Sequence, residues 1–157
     1  QLPIGYHPDW LSLSDQACAL QAEAGVGLVH GIAHQLEGAL FQSETPWGHA
    51  ALCSSFLLPV MRLNEAHLSN WAERFAEQGI DEKLIWSRLE ELFDSACYIS
   101  CLPFLKDLWT KVLRDPCSRT NCTLVRRNQI DHFLAADLQL SQLSPDAPAN
   151  PFSGGAE

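Results

Sequence analysis

Gly27-Leu-Val-His30-Gly-Ile-Ala-His34-Gln-Leu-Glu37-Gly-Ala-Leu40 has helical rather than alternating periodicity. Gly25 and Gly27 break it from the chain before, so a helix is expected over Leu28 to Leu40. On that helix His30 and His34 are four residues apart, and Glu37 follows on the same face. Such spacing brings two imidazoles to one point, which is how a helix offers neutral nitrogens to a divalent metal. It is equally the spacing of an ordinary polar stripe, and spacing alone leaves both readings open. His49 opens the following helix, and a folded-back loop would carry its ring to the same place. Gly27 and Gly31 lack side chains, so a neighbouring backbone or a ligand can approach that helix closely.

Outward from this segment the pattern stays helical, and alternating β-branched runs bounded by turns are missing. Residues 1–13, with Pro3, Gly5 and Pro8, read as an irregular lead-in, and a helix is expected from Ser14. Ser43 to Gly48 reads as a loop, and Thr45 with Pro46 suits the start of a helix through Asn64, kinked at Pro59. Residues 65–78 form an amphipathic stretch with Trp71 and Phe75 one turn apart and Gly79 capping its end. Asp81 caps the next helix, whose apolar face runs from Leu84 and Ile85 through Leu89, Leu92 and Phe93 to Ala96. Pro103 is expected to end that helix or start the next, which Asp115 and Pro116 stop. A last helix is expected from Arg127 to Leu140, and the Ser-, Pro-, Asn- and Gly-rich tail over 143–157 reads as disordered. The expected fold is an all-α helical bundle over residues 14–142.

Composition removes several function classes. Apolar residues make up 46% and charged residues 18% of 157, which suits a soluble domain with a real core. A formal charge of −9 repels phosphate backbones, so nucleic acid is not an expected partner. Apolar runs end too soon to span a membrane. No secretory signal is visible, and a chain opening at Gln1 is expected to continue upstream. The six cysteines lack the paired C-x-x-C of a structural zinc site, although Cys97 and Cys101 share a helix face and could form a metal clip or redox pair. The plainer expectation is small, buried, reduced thiols in an intracellular, cytoplasmic protein. Cys53, Ser54 and Ser55 lie within a helix without a Gly-x-Ser-x-Gly elbow, which argues against a nucleophile there. Gly25-x-Gly27-x-x-x-Gly31 has the wrong spacing and no preceding strand for a dinucleotide loop, and no P-loop is present.

Taken in order, Ala24-Gly-Val-Gly-Leu-Val-His30-Gly-Ile-Ala-His34-Gln-Leu, Pro46-Trp-Gly48-His49-Ala, Leu57-Leu58-Pro59-Val60 and Asn64 form a recognisable series. Leu113-Arg-Asp115-Pro116-Cys-Ser-Arg-Thr-Asn121 follows downstream. From about residue 15 to 140 this resembles the helical C-terminal half of the iron-containing alcohol dehydrogenases, a dehydroquinate synthase-like fold. The resemblance implies iron(II) or zinc held by His30 and His49, with His34 near nicotinamide and substrate and suited to proton transfer. It implies hydride transfer between an alcohol and an aldehyde or ketone, with NAD(P) bound by an N-terminal domain outside this chain. That domain and a small alcohol or aldehyde are the implied partners, and a homo-oligomer is compatible with them.

Departures accompany the match. The family's Asp-x-x-x-His segment, which supplies its other two ligands, is missing, as is its glycine-rich phosphate loop. Pro46-Trp47-Gly48-His49 stands where the family usually reads Pro-His-Gly, and Glu37 replaces a common glycine. Cys122 and Arg126 replace the closing segment's proline and capping threonine, so the last helix is expected to start less cleanly. Besides a dehydrogenase domain, the residues suit a non-catalytic helical metal-binding or interaction module, or a bundle with no site.

Overall fold

A computed structural model describes residues 9–41 and 47–140, the side chains of Trp10 and of residues 136–140 excepted. It contains α1 (Asp9–Ala24), α2 (Gly27–Leu40), α3 (His49–His67), α4 (Trp71–Glu77), α5 (Glu82–Leu92), α6 (Ser95–Val112) and α7 (Ile130–Leu140). Short 3₁₀ turns occupy Cys117–Thr120 and Arg127–Gln129. Among the described residues there is no strand, so the class is all-α as expected. None of the helices is long and apolar enough to cross a membrane, among the same residues. The first eight residues of the lead-in, the Thr45–Pro46 helix start and the tail over 143–157 lie outside the described residues.

Local chemistry explains most boundaries. Gly25 and Gly27 hold φ of 76° and 69°, the left-handed region that L side chains avoid, and so separate α1 from α2. Gly79, at φ 65°, turns the chain after α4. The Asp81 carboxylate accepts from the Lys83 and Leu84 amides, capping α5 as expected. α1 starts at Asp9 rather than Ser14, five residues inside the presumed lead-in.

Pro103 neither ends nor starts a helix, which corrects the expectation. The true break lies at Phe93 and Asp94, where the Asp94 carboxylate accepts from the Cys97 amide and starts α6. Ala96 therefore belongs to α6, and the helix continues through an exposed Pro103. The carbonyl deprived of its partner belongs to exposed Ile99, where water can satisfy it. The buried stripe Cys97, Tyr98, Cys101, Leu102, Leu105, Trp109 and Val112 holds both halves of α6 against one core. The last helix begins with a 3₁₀ turn, in which the Gln129 side chain accepts from the Arg126 amide.

α2 is the central element, packed on α3, α6 and the 3₁₀ turn over Cys117–Thr120. Leu28, Ile32, Ala33 and Leu36 are fully buried along it, against Leu52, Phe56 and Leu63 of α3 and Tyr98 and Leu105 of α6. The expectation of buried thiols holds for Cys97 and Cys101 only. Cys53 and Cys117 are half-buried, Cys18 and Cys122 are exposed, and all six are free.

The Tyr98 hydroxyl donates to the Phe133 carbonyl at 2.7 Å and ties α6 to α7 in a fully buried setting. Tyr98→Phe is expected to cost about 1 kcal/mol. In a chain of this size that lowers Tm by roughly 2–4 °C. An unchanged thermal midpoint would show that this bond does not tie the helices in solution.

Candidate metal centre

Gly25 and Gly27, before and at the start of α2, let the chain enter that helix close against a distant segment. The Gly27 amide donates to Thr120 Oγ1 at 3.1 Å and the Leu28 amide to Asn121 Oδ1 at 3.3 Å. Two of the free N–H groups at the start of α2 are thus capped from 93 residues away. Asn121 also donates to Asn64 Oδ1 at 2.7 Å, and Thr123 donates to the same oxygen at 2.8 Å, which fastens the segment to α3. The close neighbour expected at Gly27 and Gly31 is therefore the stretch after Asp115.

With α2 and α3 so placed, His30, His34 and His49 meet. One ligand atom from each lies within 4.8 Å of the others. Ring centroids are 4.9 Å apart for His30 and His49, 5.3 Å for His34 and His49, and 5.9 Å for His30 and His34. His49 Nδ1 donates to Glu37 Oε2 at 3.1 Å, which turns Nε2 toward the cluster. That Nε2 faces His30 Nδ1 at 3.2 Å and Cys53 Sγ at 3.5 Å. His34 Nδ1 points at Asp115 Oδ2, 3.4 Å away, leaving its Nε2 for a ligand.

Charge follows from burial and partners. Burial pulls the His30 pKa below the ordinary imidazole value, and positive charge on His49 or His34 lowers it further, while Asp115 acts in the opposite direction. His30 is thus neutral at pH 7, the form that binds metal. Burial alone would raise the Asp115 carboxyl. Hydrogen bonds from the Cys117 amide, the Gln35 side chain, the Cys117 thiol and His34 outweigh it and hold the carboxyl below its usual range. Burial raises the Cys53 thiol to about 11, helped by the nearby Glu37 carboxylate, so it is protonated at neutral pH.

All three histidines singled out by sequence share one cluster, and Glu37 joins it through His49. The His34 ring stacks on His49 at an interplanar angle of 26°. Asp115, Gln35, Cys53 and Cys117 surround the cluster and were given no site role by the sequence. Asp115 stood within a quoted motif, but 81 residues separate it from His34 and no local spacing links them. A surface pocket lined by His67, Leu68, Cys122, Arg126 and Asn128 shares no residue with the cluster. Compared with known proteins, the chain matches no family model, no curated sequence and no solved structure.

Proposed function

We propose that this chain is a helical divalent-metal-binding domain and serves as the metal-holding half of an NAD(P)-dependent alcohol dehydrogenase of the dehydroquinate synthase-like fold. The observation that carries the metal reading is the convergence of His30, His34 and His49 from two helices, with carboxylates behind two of the rings. Carboxylates that accept from the far nitrogen fix tautomer and orientation at metal-ligating histidines generally. The donor set fits iron(II) or zinc. Two nitrogens, each 2.0–2.1 Å from a tetrahedral ion, stand roughly 3.4 Å apart, and His30 Nδ1 and His49 Nε2 stand 3.2 Å apart. Two imidazoles leave coordination positions open, one of them for a substrate oxygen.

The dehydrogenase reading rests on the order and spacing of the quoted motifs. In it a bound ion would supply Lewis acidity at the substrate oxygen. His30 and His49 bind, with Glu37 orienting the latter. His34, held at Nδ1 by Asp115, presents Nε2 to move a proton at the substrate hydroxyl. NAD(P) would be held by a domain outside this sequence, because the 157 residues contain no phosphate-binding glycine loop. The second reading, a non-catalytic metal-binding module, is favoured by Glu37, which completes His49 from within the chain.

Two titrations test these readings. Zinc added to the chain should give a saturable calorimetric isotherm that the His30→Ala/His49→Ala double variant lacks; an unaltered isotherm would remove the metal centre. NADH added to the chain alone should show no saturable fluorescence enhancement. Enhancement would place the nucleotide site within these residues and overturn the two-domain account.

A further inference from the structure

We propose that His34, Asp115 and Cys117 form a second metal site, selective for a soft divalent ion such as zinc or cadmium and adjoining the first at the His34 ring. One ligand atom from each of the three lies within 4.8 Å of the others. The site does not depend on the first being filled: His34 would ligate through Nδ1, the nitrogen that faces Asp115, with its ring proton moved to Nε2 by exchange with solvent.

The Asp115 carboxylate is already aimed. It is 8% exposed, and each oxygen has a donor that holds it in place. The Cys117 amide donates to Oδ1 at 2.9 Å, and Gln35 Nε2 donates to Oδ2 at 3.1 Å. These are the outer hydrogen bonds that orient a carboxylate toward an ion. The other two residues give access, since the His34 side chain is 40% exposed and Cys117 is half-buried.

Charge separates this cluster from its neighbour. Three neutral imidazoles leave a divalent ion uncompensated. A carboxylate and a thiolate with one imidazole neutralise it at the site itself. On binding, the Cys117 S–H bond breaks, its proton goes to solvent, and sulfur donates the electron pair to the ion; no electron changes hands. Thiolate and imidazole donors select zinc-like ions over magnesium and calcium, which prefer oxygen.

Cobalt(II) and zinc titrations of the full chain test the site. Cobalt should produce a near-ultraviolet thiolate-to-cobalt charge-transfer band. Cys117→Ser should abolish the band and lower the zinc stoichiometry by one equivalent, with helicity unchanged by circular dichroism. Asp115→Asn, which retains an oxygen to cap the 3₁₀ turn, should weaken cobalt binding at this band about tenfold or more. His30→Ala should leave the band intact, so loss of the three-imidazole centre and loss of this site are told apart. Cys53→Ser, beside His49, should also leave it intact. Absence of the band in the parent, its survival in Cys117→Ser, or its loss in Cys53→Ser overturns the proposal.

Discussion

Alanine at His30 is expected to weaken zinc binding at the three-imidazole cluster by about a hundredfold or more, since losing even an outer partner typically costs 10–100-fold. His30 takes this role because of its place. Its Nδ1 is 3.2 Å from His49 Nε2, its ring is within 6 Å of both other imidazoles, and burial keeps it neutral. His49→Ala should lose as much, because it removes the only described ligand contributed by α3. Glu37→Gln should lose about tenfold: it retains an oxygen for His49 Nδ1 but removes the charge that makes the ring a better donor. Competition against a chromophoric chelator measures all three. If His30→Ala and His49→Ala bind zinc as the parent does, the cluster is a hydrogen-bonded polar stripe. If His30→Ala and Glu37→Ala lose binding while His49→Ala does not, the site runs along α2 alone.

What the sequence made legible was mostly local. His30, His34 and Glu37 lie on one helix, so helical geometry sufficed to place them on one face. The α1–α2 break, the Asp81 cap and the turn at Gly79 each need only a few residues, and all stand where expected. Pro103 misled because the rule about proline concerns the backbone alone. The packed stripe on the opposite face of α6 decided the outcome. Asp94 carried the better signal, an N-cap residue three positions before Cys97. Asp115 and Cys117 were invisible as site residues for a different reason. Their link to His34 depends on the turn after α6 lying across α2, and tertiary packing at that range leaves no periodic trace.

The glycines supply the packing that a sequence cannot display, and they carry the largest expected stability effect. Gly25→Ala is expected to cost roughly 2–5 kcal/mol, from about 1–2 for a left-handed residue with a Cβ and about 1–3 for overpacking. The added carbon would clash with the Thr120 side chain, at a φ of 76°. That is a large share of the ~5–15 kcal/mol total of a typical domain. Trimming Thr120 cannot repair it: the strain remains, and the hydroxyl that caps the Gly27 amide is lost. Gly31→Ala offers the contrast. Here helix propensity favours alanine by roughly 0.5–1 kcal/mol, opposed by a clash with Ser118 Oγ. The Ser118 hydroxyl has no hydrogen-bond partner, so Ser118→Ala removes the worst clash without breaking a bond and leaves tight contacts of 3.3 Å with the residue 118 Cβ and backbone nitrogen. Gly31→Ala should therefore destabilise alone and recover in part in the Gly31→Ala/Ser118→Ala double variant, whereas Gly25→Ala/Thr120→Ala should not recover. Urea unfolding of the single and double variants measures both cycles. Equal recovery in the two pairs would mean that the turn over Cys117–Thr120 is free to move off α2, and the placement of Asp115 beside His34 would lose its support.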